Sequence, residues 1–165
     1  MTTTSLSSIS LDSQSSSLTA EEWAELAFFQ KGGNVDGVHY NTKRCYEKAL
    51  ERDPTYWLAW KGLAAEGGGC VEGTEFNAKG CLAKVLEGCP MEAKVWYNLA
   101  LKGGGVVGGT PYLEKACYVK ALELDQTLAY AWSNLGLKGG GTVGGLKYSA
   151  QKCNEMYRKF KFIER

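Results

Sequence analysis

The sequence predicts an all-α fold, an α-solenoid of four helix-turn-helix repeats. Three observations carry this. First, the chain repeats with a 36-residue step. Cys45, Cys81, Cys117 and Cys153 keep that step, as do Val35, Val71, Val107 and Val143. So do Gly37, Gly73, Gly109 and Gly145, and the aromatics Tyr40, Phe76, Tyr112 and Tyr148. Second, Trp60, Trp96 and Trp132 share the step with Leu63, Leu99 and Leu135, so each pair sits three residues apart on one helical face. Third, a glycine run follows each such segment, where a helix stops readily. A period of this length marks units that bury their apolar faces against neighbouring copies.

The elements follow in order. Residues 1–18 hold many Ser and Thr and no aromatic residue. Such a stretch buries too little apolar area to offset its ordering entropy, so Met1 to about Ser17 reads as a disordered, inert leader. Repeats then run over about 19–54, 55–90, 91–126 and 127–165. Thr19 and Glu22 fit a capping box at the first helix start. Trp23 sits one residue early against the Trp column.

The third unit shows the expected pattern. Met91–Lys102 lacks internal Gly and Pro and reads as its first helix. Gly103–Gly105 ends it. Thr110–Pro111 reads as N-cap and first residue of the second helix, which extends to about Leu124. Asp125–Thr127 turns the chain into the next unit. Its counterpart is Asp53–Thr55, where Pro54 blocks helix continuation. The last second-helix runs over Lys147–Arg165, with Tyr148, Met156, Phe160 and Ile163 along one face and an excess of Lys and Arg. Either it caps itself or its apolar edge meets a partner or a second copy.

Composition excludes several functions. A net charge of +1 argues against nucleic acid and against an acidic membrane surface. No apolar run reaches the ~18 residues of a membrane span. The N-terminus lacks a secretory pattern, and its first basic residue is Lys31, so the expected setting is reducing and cytoplasmic. Six cysteines therefore read as thiols, four of them a buried ladder, with Cys70 and Cys89 the exposed ones. His39 is the only histidine and reads as solvated; no catalytic residue, metal ligand or cofactor site is expected.

The segments Ala129–Leu137 (AYAWSNLGL), Cys117–Thr127 (CYVKALELDQT) and Tyr46–Thr55 (YEKALERDPT) resemble the tetratricopeptide repeat. Its usual unit is about 34 residues; the longer step and the Gly–Val element also resemble Sel-one-like repeats. Both resemblances imply helix hairpins stacked in a right-handed superhelix. They also imply a non-catalytic scaffold that binds a peptide or partner helix in a groove lined by first helices. Carried over, that surface comprises Leu58, Lys61 and Ala65, then Lys94, Tyr97, Asn98 and Leu101, then Tyr130, Ser133, Asn134 and Leu137. Trp57 lies outside the repeat pattern and is either a binding hot spot or a packing residue. Lys61 and Asn98 stand where two members of the family's carboxylate clamp would, but Ala65, Tyr130 and Asn134 do not supply the rest. Binding of a chaperone tail in that way is therefore not expected.

Two other functions stay open: a regulatory arm or fragment of a larger repeat protein, and a weak anion or nucleotide site at the Gly-rich loops. Gly139–Gly145 (GGGTVGG) formally contains G-x-G-x-x-G. It follows a helix rather than a strand and recurs in worn copies, so it reads as a helix terminator and turn, with Val143 plugging the tip.

Overall fold

A computed structural model describes residues 17–162. The expected leader lies almost wholly outside them, as does Ile163. The chain divides into two compact units, one ending at Phe76 and one beginning at Asn77.

The first unit opens with α1 (Ala20–Gln30), β1 (Gly32–Val35), β2 (Val38–Asn41) and α2 (Thr42–Arg52). It continues with α3 (Trp57–Ala65), β3 (Gly68–Val71) and β4 (Thr74–Asn77). The second unit holds α4 (Ala78–Gly88), α5 (Ala93–Leu101), β5 (Gly104–Val107), β6 (Thr110–Leu113) and α6 (Glu114–Leu124). It ends with α7 (Ala129–Leu137), β7 (Gly141–Val143), β8 (Leu146–Tyr148) and α8 (Ala150–Phe160).

The all-α solenoid is thus corrected. Each first helix leads into a two-stranded hairpin, and the described chain holds eight helices and four such sheets. In β1–β2 the register pairs Gly32 with Asn41 and Val35 with Val38. In β7–β8 it pairs Gly141 with Tyr148 and Val143 with Leu146. Two residues therefore make each turn. Asp36 and Gly37 have φ 52 and 75, and Gly144 and Gly145 have φ 56 and 80. Positive φ at both central residues is the turn whose twist matches paired strands. Within Gly139–Gly145, Gly139 and Gly140 close the end of α7, Gly141–Val143 is β7 and Gly144–Gly145 is the turn, so the terminator and turn read from the sequence enclose a strand.

Three helix boundaries move as a result. Pro111 is a strand residue paired with Val106, and α6 starts at Glu114. A two-stranded sheet has only edges, so a residue without an N–H is tolerated there. Lys147 and Tyr148 belong to β8, and the last helix begins at Ala150 behind a Ser149 cap. The first helix of the third repeat shortens to Ala93–Leu101, with Glu92 and Lys102 at its ends. The capping box at Thr19 and Glu22 is present.

The hairpins are tied to the core by aromatic pairs. Trp23 meets Tyr40 edge-on at 4.9 Å between ring centroids. Trp60 meets Phe76, and Trp96 meets Tyr112, each at 4.8 Å. Trp132 meets Tyr148 at 4.7 Å. Such pairs add about 0.5–1.5 kcal/mol beyond area burial. Val35, Val71 and Val143 are buried at the hairpin tips; Val107 is half-buried. Gly140 fixes the approach to the last hairpin: it has φ +78, and a Cβ there would lie 2.1 Å from the Tyr148 carbonyl oxygen. Only glycine satisfies both demands.

The four ladder cysteines are free and buried, whereas Cys70 and Cys89 are half-buried. The Cys45 thiol donates to the Tyr40 carbonyl at 3.7 Å, and Cys117 to that of Tyr112 at 3.8 Å. Burial pushes both thiols up to about 11. The corners are closed by Asp53 and Asp125, each of which accepts from a Thr backbone N–H and hydroxyl two residues on.

Candidate functional site

A groove in the first unit gathers the exposed apolar side chains of α1 and α3. It encloses about 500 Å³. Glu21, Ala24, Glu25, Phe28 and Phe29 form the α1 wall; Leu58, Lys61, Gly62 and Ala65 form the α3 wall; Tyr46 and Tyr56 complete it. Phe28 and Phe29 are 65% and 60% exposed and stack edge-on at 4.9 Å. Leu58 is 45% exposed. Helices of 11 and 9 residues set the groove's length.

The local sequence explains the opening. Tyr46 projects from α2 between the two walls, with its body buried. A Cβ on Gly62 would stand 2.2 Å from its Cζ. Glycine at 62 therefore admits the ring, and no side chain from that position fills the groove. The tyrosine hydroxyls titrate high. Burial raises Tyr46, helped by Glu66. Burial raises Tyr56, helped by Glu21, Glu25 and Asp53. On the α3 side, Lys61 Nζ lies 5.7 Å from the Trp57 ring centroid, within cation–π range. Trp57 itself is half-buried and does not line the groove.

The structure places Leu58, Lys61 and Ala65 together in the lining of this groove. It adds an α1 wall that sequence reading missed. The signal was available: Trp23 stands 37 residues before Trp60, and the same step links Glu21, Ala24, Glu25 and Phe28 to Leu58, Lys61, Gly62 and Ala65.

In the second unit, Lys94, Asn98, Leu101, Tyr130 and Leu137 are exposed, while Tyr97, Ser133 and Asn134 are half-buried. Tyr118 of α6 occupies the place Tyr46 has in α2. Its ring lies 6.0 Å from that of Tyr97. Burial, then Glu114, pushes the Tyr118 hydroxyl up to about 12. Asn134 is the counterpart of Gly62, so here a side chain occupies the space. Tyr130 packs against Tyr157 of α8 at 5.9 Å. On α8, Asn154 and Arg158 are exposed; α2 and α6 bury Tyr46, Leu50, Tyr118 and Leu122 at the equivalent positions.

A second depression of about 720 Å³ lies at the last glycine run, lined by Lys115, Lys147, Lys152, Thr142 and Ser149. Lys152 pairs with Glu155 at 2.8 Å. His39 is exposed on β2, its Nδ1 3.1 Å from Asn34 Oδ1 across the hairpin. Among the described residues no group of three His, Cys, Asp or Glu side chains is placed to hold a metal, and no helix is long and apolar enough to cross a membrane.

No family model, curated protein or solved structure matches this chain.

Proposed function

We propose that the chain is a non-catalytic binding module whose α1–α3 groove receives an apolar segment of a protein partner. One observation carries this reading: Phe28, Phe29 and Leu58 are held exposed around a cavity of about 500 Å³. That volume falls within the range of binding pockets. Leaving large apolar groups in water on facing helices gains the fold nothing, and clustered exposed apolar surface marks interaction sites. The resemblance to tetratricopeptide repeats supports the same use of first helices. Six free thiols suit a reducing, cytoplasmic setting.

The test is selection from a displayed random-peptide library on the full chain, followed by affinity measurements on synthesised peptides. Binding that is lost in Leu58→Asp and Phe28→Asp supports the groove. Peptides that bind both variants as well as the parent overturn it.

A second reading rests on the lysine-lined depression, where Lys115, Lys147 and Lys152 and the hydroxyl side chains of Thr142, Tyr148 and Ser149 line the space at Gly139–Gly141 with no carboxylate in the lining, although Lys152 pairs with Glu155. A weak anion site there would raise the melting temperature with millimolar phosphate. An unchanged melting temperature removes it.

A further inference from the structure

The groove's two walls differ in charge, and the difference specifies what the groove accepts. Glu21 and Glu25 lie one helical turn apart on α1 and both line the cavity. Neither has an ion-pair partner among the described residues. Like charges at this spacing repel and cost a helix stability. Glu22, between them, is already used: its carboxylate accepts from the Thr19 backbone N–H at 2.8 Å in the capping box. Lys61, the cation in the lining, sits over the Trp57 ring on the opposite wall. The α1 wall thus sets two carboxylates without an ion-pair partner beside the exposed rings of Phe28 and Phe29.

We infer that the groove's occupant is a cationic amphipathic peptide segment: an aromatic or aliphatic anchor seated among Phe28, Phe29 and Leu58, flanked by two Lys or Arg side chains that meet Glu21 and Glu25. This rests on the groove reading above and deepens it. The geometry sets the spacing. Four residues along a helix rise ~6 Å. Cations three or four apart in a helical occupant match that distance, and so do cations two apart in an extended one. The 11-residue α1 is ~16 Å long. That length takes about three turns of helix or about five extended residues. Glu21 is exposed and Glu25 half-buried, so these pairs form in partly solvated surroundings and respond to salt. Neutral and acidic segments leave both carboxylates unpaired and are discriminated against.

The experiment uses the full chain and a random displayed peptide library. Selection on the parent should enrich Lys or Arg beside aromatic or aliphatic residues. Synthesised winners should bind the Glu21→Gln/Glu25→Gln variant about tenfold more weakly. High salt should weaken their binding to the parent and leave binding to that variant nearly unchanged. The variant relieves the Glu21–Glu25 repulsion and gives up Glu21's favourable place in the first turn of α1, two small and opposing terms, so it should keep the parent's helical circular dichroism and melting temperature. If the winners are neutral or acidic yet still need Leu58, the charge inference falls and the groove reading stands. If the winners ignore Leu58→Asp, both fall. Sedimentation of the peptide-free protein supplies the remaining outcome. A self-associated species that the double Gln variant dissolves would make a second copy the occupant, through its basic α8, and overturn a separate partner.

Discussion

The Tyr46 ring occupies the space that a side chain at Gly62 would need, with Cζ 2.2 Å from the position of a Cβ. Tyr46 is buried and has little room to swing away. Gly62→Ala should therefore overpack the α2–α3 contact and cost about 1–3 kcal/mol. Urea denaturation should show the loss, and peptide capture by the groove should fall with it. Tyr46→Ala combined with Gly62→Ala should lose the clash but leave a cavity.

Glu47 is a buried carboxylate that α2 devotes to β3. Its Oε1 accepts from the Cys70 N–H at 2.8 Å, and its Oε2 accepts from Arg44 at 3.0 Å. The other repeats carry Ala83, Val119 and Glu155 here. Glu47→Ala strands the Cys70 N–H and should destabilise by about 1–3 kcal/mol. Glu47→Gln retains the acceptor and should cost clearly less. Denaturant midpoints and amide exchange at Cys70 check both.

Adjacent glycines should respond very differently to alanine. At Gly139 (φ +81) a Cβ meets nothing within 4 Å, so Gly139→Ala carries only the conformational penalty of about 1–2 kcal/mol. At Gly140 the same penalty adds to a backbone collision 2.1 Å from the Tyr148 carbonyl. Gly140→Ala should cost well over about 3 kcal/mol. Equal midpoints for the two variants would contradict the hairpin geometry.

The repeated tryptophans differ in one hydrogen bond. Trp132 donates its indole N–H to the Gln126 carbonyl at 2.7 Å, while the buried Trp23 N–H has no partner among the described residues. Trp→Phe should therefore be about 1 kcal/mol milder at position 23 than at 132. Paired melting curves measure the difference.

Burial raises the Cys45 and Cys117 thiols from 9.0 to about 11. An unfolded chain ionises them first as pH rises, so it gains on the folded state. Their contribution to stability is intact below about pH 9 and declines between about 9 and 11. Cys45→Ala should shallow that decline. At neutral pH a thiol reagent should modify Cys70 and Cys89 well before the four buried cysteines.

The helices and their repetition were legible because Trp, Leu and Cys recur at positions that packing must fill. The strands were not. They are three or four residues long, begin with glycine at Gly104–Gly105 and Gly141, and show no sustained alternation of polar and apolar residues. The overlooked signal was the turn: Asp36–Gly37, or a Gly–Gly pair, flanked closely by Val and an aromatic is a two-residue hairpin pattern. Thr110–Pro111 misled because the same pair suits a helix start. In the candidate site, Leu58, Lys61 and Ala65 were named from the repeat resemblance. The α1 wall was hidden by a one-residue offset, and the role of Gly62 by its dependence on a ring from another helix.

The repeated tryptophan–aromatic pairs have a spectroscopic consequence. Trp60, Trp96 and Trp132 sit in nearly the same surroundings: each meets its hairpin's aromatic ring at 4.7 to 4.8 Å and donates its indole N–H to the carbonyl six residues back. Variants that keep only one of these three tryptophans would place matched fluorophores along the chain. Differences between their unfolding traces would then report local differences in stability, with little contribution from chromophore environment, and would read the second, third and fourth repeats in turn.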